Sequence, residues 1–343
     1  MPGFGRADAI PPKRPRCLTL GRNNAERGGR PEPEAVLNDI APINWLRIGA
    51  LGLIWGASFA FISVALRDVG PFTVAAVRIT LGAAFLLSLL RIKGLRLPSA
   101  APGPGRKVWA FAFCMALFSN AVPFSLLGWA QQSVASGFAG VCMAAVPLLI
   151  LPLAHVFVPG ERMHLRRIGG FLLGTAGVVV LIGADAFAST GKDMESLARL
   201  ACLGAALCYA TGSILTRLCP PVPLLALAAA VMVLAAGMIV PVAVIVEGVP
   251  DTLGVKGALA LLYLGLLPTG VAQLLLVQVT REAGPGFFGL VNYMVPVWSV
   301  ILGAVFLAEA VPPRLFLAMV MILAGVAISQ WGALRRLFAG RPA

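Results

Sequence analysis

From residue 44 onward the chain alternates long apolar runs with short polar breaks. Ten runs approach or exceed the roughly 20 residues a helix needs to cross a bilayer core. They cover about 46–66, 72–91, 108–129, 134–157, 165–184, 198–217, 222–246, 257–279, 286–308 and 314–333. The breaks carry the turn chemistry. Arg67-Asp68-Val69-Gly70-Pro71 is a tight turn, Arg91 to Lys107 is a basic loop holding Pro98, Pro102 and Pro104, and Gly160-Glu161-Arg162 divides the fourth run from the fifth. Many glycines and prolines fall inside the runs, which suits lipid, where helices approach closely and neighbours repair a proline break. The pattern predicts an all-α integral membrane protein of ten transmembrane helices.

The runs also repeat. Gly137-Phe138-x-Gly140 leads to Val146-Pro147, and Gly286-Phe287-x-Gly289 leads to Val295-Pro296 at the same spacing. Glu161 is followed by Arg166 and Ala176-Gly177-Val178, and Glu309 at the same offsets by Arg314 and Ala324-Gly325-Val326. Trp55-Gly56 corresponds to Tyr209-Ala210. One such match between apolar helices would be weak. The set is stronger because it includes charged residues and crosses a loop. The organisation read from it is a polar tail over 1–42, a five-helix repeat over 43–187, a second over 196–334 and a short tail over 335–343. An odd number of spans per repeat requires the second copy to enter the membrane upside down. Inverted repeats belong to transporters, with the binding site near the midplane where the halves meet.

Charge then sets the expected orientation. Of the 27 Lys and Arg residues, fourteen fall in one set of alternate loops and their flanking helix ends, five in the other, and seven more in the tail. Lys and Arg mark the cytoplasmic side, so both termini are expected in the cytoplasm, with Glu161 inside and Glu309 outside. The net charge of +13 lies in tail and loops. It therefore argues for a lipid bilayer and against nucleic acid as partner. The tail has no apolar run or cleavage site, and reads as a disordered cytoplasmic extension.

Metal and redox chemistry find no pattern. Cys17, Cys114, Cys142, Cys202, Cys208 and Cys219 form no C-x-x-C pair, and His155 and His164 do not complete a zinc spacing with them. No cofactor or metal is expected.

The residues together resemble EamA-type members of the drug/metabolite transporter superfamily over nearly all of 44–333. The resemblance rests on Leu53-Ile54-Trp55-Gly56-Ala57-Ser58-Phe59, on Pro71 with Arg78, and on the Gly137 to Pro147 segment. It rests further on Glu161 before a glycine-rich fifth span, and on the second-half counterparts. It implies a ten-helix fold in the bacterial inner membrane with both termini inside, and often export of amino acids or other small metabolites. Two positions depart from internal or family pattern: the counterpart of Arg78 is Ala230, and Tyr209 stands where the motif usually has tryptophan.

Arg78 is the only basic residue well inside a span. A charge there costs about 2.5–3.5 kcal/mol or more, so it marks function by default. It would hold a substrate carboxylate, bond helix carbonyls, or snorkel outward. The candidate substrate-binding set is Trp55, Ser58, Arg78, Asn120, Tyr209, Gln273, Asn292 and Tyr293. Ser119 and Thr269 are further polar mid-span residues. Each could equally serve helix–helix hydrogen bonding, but their spread over both halves favours a cavity. No acid lies mid-span, and Glu161 and Glu309 read as caps or loop pairs. Spans five and ten, rich in small residues, read as packing helices or as the faces of a homodimer. Pro123, Pro147, Pro268 and Pro296 are expected to kink their spans. A membrane-embedded enzyme would need a reactive set, and a channel a filter or ring of charges. Neither is present in the sequence, so the reading is a transporter of small metabolites that is not an enzyme, most simply an exporter, with import or exchange as the alternative.

Overall fold

The computed structural model describes residues 41–161, 163–183 and 194–338. Nearly all of the tail read over 1–42 lies outside the described residues, as do Arg162 and the connection 184–193. The described residues contain helices and no strand. The spans are α1 Pro42–Ala65, α2 Pro71–Ile92, α3 Pro104–Ala130, α4 Ser136–Phe157, α5 Leu165–Ile182, α6 Met194–Leu218, α7 Leu224–Glu247, α8 Val255–Glu282, α9 Gly286–Leu307 and α10 Pro313–Ser329. Nine have 18 residues or more, and α10 has 17. A short helix, α11 Trp331–Phe338, follows.

Four of the helices that start earlier than their apolar runs start at a proline. α1, α2, α3 and α10 begin at Pro42, Pro71, Pro104 and Pro313. Proline at the first helical position wastes no N–H, and its fixed φ already fits the helix. Hydropathy marks where lipid begins; proline marks where the helix begins.

Of the prolines expected to kink their spans, Pro123, Pro147 and Pro268 lie in or just after an irregular turn, whereas Pro296 lies inside the continuous helix Val291–Leu307. α3 and α8 each contain a five-residue π-type turn, Leu117–Ala121 and Leu267–Val271, the first just before Pro123 and the second containing Pro268. α4 and α9 are interrupted, at 144–145 and at 289–290.

Helix pairing is mostly between the two halves. α5 lies on α10, α2 on α7, and α4 on α9. α1 lies on α9 and α8, as α6 lies on α4 and α3. Exchanging the halves turns this set of pairs into itself. Glycines set the closest approaches. A Cβ on Gly170 would fall 2.5 Å from the Gly325 carbonyl oxygen, and one on Gly325 2.5 Å from the Gly174 nitrogen. The small residues of α5 and α10 thus serve each other within one chain. Their outer faces carry exposed Leu172, Val179, Phe316 and Leu317.

The helix ends are tied by charge. At one end of the bundle the Glu309 carboxylate accepts from Ser136 N (2.8 Å), Ser136 Oγ (2.9 Å) and Gly137 N (3.1 Å), capping α4. Glu247 accepts from Phe72 N, Thr73 N and Thr73 Oγ1 at 2.7–2.9 Å, capping α2. Arg199 and Arg314 donate to the last carbonyls of α5, at Leu181 and Ile182. Carboxylates at N-termini and guanidinium groups at a C-terminus complement the helix dipole. At the other end Arg47 pairs with Glu282 at 2.5 Å. Glu161 there pairs with Arg167 (2.9 Å) and Arg217 (3.4 Å). The hydrogen bond from Arg167 holds the Glu161 carboxyl below the usual carboxylate range, against the opposing effect of burial and with help from Arg217. Of the two uses expected for these glutamates, Glu309 is the cap and Glu161 the loop pair.

Candidate functional site

The site is built on the π-type turn of α8. Pro268 has no N–H, so the Leu264 carbonyl four residues earlier loses its helical donor. The Thr269 hydroxyl replaces it, donating to Leu264 O at 2.8 Å. The Pro268 carbonyl accepts the Trp55 indole N–H from α1 at 3.1 Å. Thr269 Oγ1 then accepts the Nε–H of Arg78 from α2 at 3.0 Å. One disrupted turn in the second half therefore holds two side chains of the first.

Arg78 is 6% exposed, and among the described residues no carboxylate lies within ion-pair distance of it. Its guanidinium carbon sits 3.8 Å from the centre of the Phe124 ring of α3. A desolvated cation–π contact is worth about 2 kcal/mol, which offsets part of the cost of an unpaired buried cation. Tyr209 of α6 is tilted against Phe124 with ring centres 6.4 Å apart. Tyr263 donates to Ile54 O at 3.0 Å and stacks on Phe61. Trp55 presents its ring edge-on to Phe288 of α9 at 6.1 Å. The result is a cation held in an aromatic surround where α1, α2, α3, α6 and α8 converge.

Trp55, Arg78 and Tyr209 meet here. Asn120 is buried in the matching turn of α3, beside Ser119, whose hydroxyl fills the space over Gly212 of α6. Gln273 stands half-buried one helical turn beyond Thr269. Tyr293 borders the same apolar cluster as Trp55 and Tyr209, and its hydroxyl is buried with no hydrogen-bond partner among the described residues. Ser58 and Asn292 are committed to backbone, to Trp55 O at 2.6 Å and Gly289 O at 3.1 Å.

Phe124 and Tyr263 did not stand out in the sequence, because an aromatic residue inside an apolar run looks like any lipid-facing one. Phe124 did carry a signal: it lies four residues after Asn120 and next to Pro123. A separate cavity of about 400 Å³ lies at the Glu309 end, lined by Ser133, Phe138, Glu195, Arg199, Glu309 and Arg314 among others.

The profile of the EamA-like transporter family matches this chain twice, over residues 46–183 and 196–331. The chain belongs to the EamA-like transporter family. The resemblance read from its motifs is borne out. An EamA-like chain of this kind is a membrane transporter, and its apolar helices make it a multi-pass plasma-membrane protein. It is 27% identical over 299 residues to the uncharacterized inner membrane transporter YedA of Escherichia coli, covering 85% of this chain and 92% of that one. It is 23% identical to the uncharacterized transporter YoaV of Bacillus subtilis, over 85% and 98% of the two chains. It is also 26% identical to a probable terminal-alkyne amino-acid exporter of Streptantibioticus cattleyicolor, over 79% and 88%. A solved crystal structure aligns with TM-score 0.60 and 25% identity over 85% of this chain and 98% of that one.

Proposed function

We propose that this transporter exports amino acids or related carboxylate-bearing metabolites, binding them at Arg78 by alternating access of two inverted five-helix halves. The observation that carries the reading is Arg78: a buried cation with no acid beside it among the described residues, reaching from α2 of one half to Thr269 on α8 of the other. A site with a permanent positive charge and aromatic walls suits an anion with an apolar body. Trp55, Ser58, Asn120, Tyr209, Gln273, Asn292 and Tyr293 belong to the proposed cavity, nearest Arg78 in the case of Trp55 and Tyr209. The pairing of helices, unchanged when the halves are exchanged, supports the two halves as copies, and five spans in each then require the second to be inverted. Amino acids and export are taken up from the name of one relative, the probable terminal-alkyne amino-acid exporter at 26% identity. Catalysis and channel conduction are the competing classes.

Counterflow of the twenty L-amino acids in proteoliposomes tests the reading. Saturable, trans-stimulated flux is expected for at least one of them. Arg78→Ala should lower that flux about tenfold to a hundredfold, the loss of one charged hydrogen-bonded pair of about 1.5–3 kcal/mol. No counterflow for any amino acid, or full flux in Arg78→Ala, would overturn it. The orientation is tested separately with a reporter fused to the C-terminus, which is expected to be active only when the fusion faces the cytoplasm.

A further inference from the structure

The Arg78 guanidinium has two edges that can grip a carboxylate with paired N–H groups. One edge uses Nε and the nearer Nη. The other, at the tip, uses both Nη atoms. Thr269 already takes the Nε–H at 3.0 Å, and Phe124 covers one face of the plane at 3.8 Å. The side edge is therefore closed, and the tip is the edge left for a bidentate ligand.

What makes Thr269 a directed acceptor is its second bond. A threonine inside a regular helix usually turns its hydroxyl to the carbonyl four residues back. Thr269 reaches five back, to Leu264 O at 2.8 Å, the carbonyl that Pro268 deprives of a donor. Its only proton is spent there. Its lone pairs are all that it can offer Arg78. Pro268, the π-type turn and the hydroxyl thus fix which way the guanidinium faces, and the Trp55 indole is pinned to the same turn through Pro268 O at 3.1 Å.

We propose that Thr269 is a positioning residue for transport: by holding Nε of Arg78 it presents the Nη1–Nη2 tip to the substrate carboxylate. This rests on the carboxylate reading of Arg78. It goes beyond that reading in assigning the selectivity for a carboxylate to an uncharged side chain of the opposite half.

The test uses full-length protein in proteoliposomes. The probes are the amino acid giving the highest counterflow and the amine made from it by removal of the carboxyl group. The quantity read is the ratio of their apparent affinities as competitors. Thr269→Val keeps the shape and removes the acceptor. It is expected to raise KM for the amino acid about tenfold, leave the amine unchanged, and so shrink the ratio by the same factor. Thr269→Ser keeps the hydroxyl and should restore the ratio. Pro268→Ala returns an N–H to Leu264 O and frees the Thr269 proton, and should shrink the ratio with Thr269 still present. The Arg78 Nε–H gives a second readout by solvent-exchange NMR in nanodiscs: protected in wild type and Thr269→Ser, exposed in Thr269→Val.

Arg78→Ala separates the two ideas. If it leaves the ratio at its wild-type value, the carboxylate reading of Arg78 fails. If it shrinks the ratio while Thr269→Val does not, Arg78 binds the carboxylate unaided and the positioning role of Thr269 is overturned. A variant that no longer elutes as a single species is replaced by Thr269→Ser and Pro268→Ala, whose opposite expected outcomes decide the question alone.

Discussion

Gly325→Leu is expected to prevent α10 from seating on α5, and with it to abolish recovery of folded protein. The added Cβ would meet the Gly174 nitrogen at 2.5 Å and the Gly170 carbonyl oxygen at 2.6 Å. Both are backbone atoms of the facing helix. No rotamer change relieves them, so the helices themselves must part. In lipid little hydrophobic force draws one helix to another, and association depends on close van der Waals fit. Ordinary overpacking costs about 1–3 kcal/mol, and a backbone-on-backbone clash belongs at or above the top of that range. Gly169→Leu is the control. It lies next to Gly170, and a Cβ there meets nothing within 4 Å. Size-exclusion profiles of the two variants should differ fully: a folded peak for Gly169→Leu, none for Gly325→Leu. A Gly325→Leu protein that melts with wild type would sink the idea.

The second large effect is expected at Glu309. Its carboxylate satisfies two N–H groups at the start of α4 and the Ser136 hydroxyl. Ser136 is fully buried, so water cannot step in when the carboxylate is removed. Each unsatisfied buried group costs about 1–3 kcal/mol, and a lost cap about 1. Glu309→Ala should therefore destabilise by about 3 kcal/mol, with Glu309→Gln falling between it and wild type. Glu161→Ala should cost about 1 kcal/mol or less, since Glu161 and its arginine partners are all about a third or more exposed. Thermal unfolding in detergent ranks the three. Equal losses for Glu309→Ala and Glu161→Ala would show that the capping argument is wrong.

That contrast shows where the sequence could be read and where it could not. Glu161 and Glu309 occupy matching places in the repeat, and spacing alone makes them equivalent. The difference lies in what each could cap. The counterpart of Ser136 is Pro285, which has neither N–H nor hydroxyl to give, and Glu161 turns to Arg167 and Arg217 instead. The spans were legible because lipid demands long apolar runs. Arg78 was legible because a charge is conspicuous inside one. The same demand hid Phe124 and Tyr263, since a helix apolar on every side does not announce which face turns inward. Thr269 was visible as a polar mid-span residue, but its role was not: that needs the Pro268 turn, which leaves the Leu264 carbonyl open to the Thr269 hydroxyl.

The ties at the Glu309 end also bear on how the chain is made. Among the described residues, the side chains named above as closing α2, α4 and α5 there come from later in the sequence: Glu247, Glu309, Arg199 and Arg314. A ribosome inserting this protein delivers the first five helices with those three ends unsatisfied. They stay so until α6, α7, α9 and α10 follow. The first half is thus an unfinished object in the bilayer, and release of the completed chain is the moment at which its helix ends are sealed.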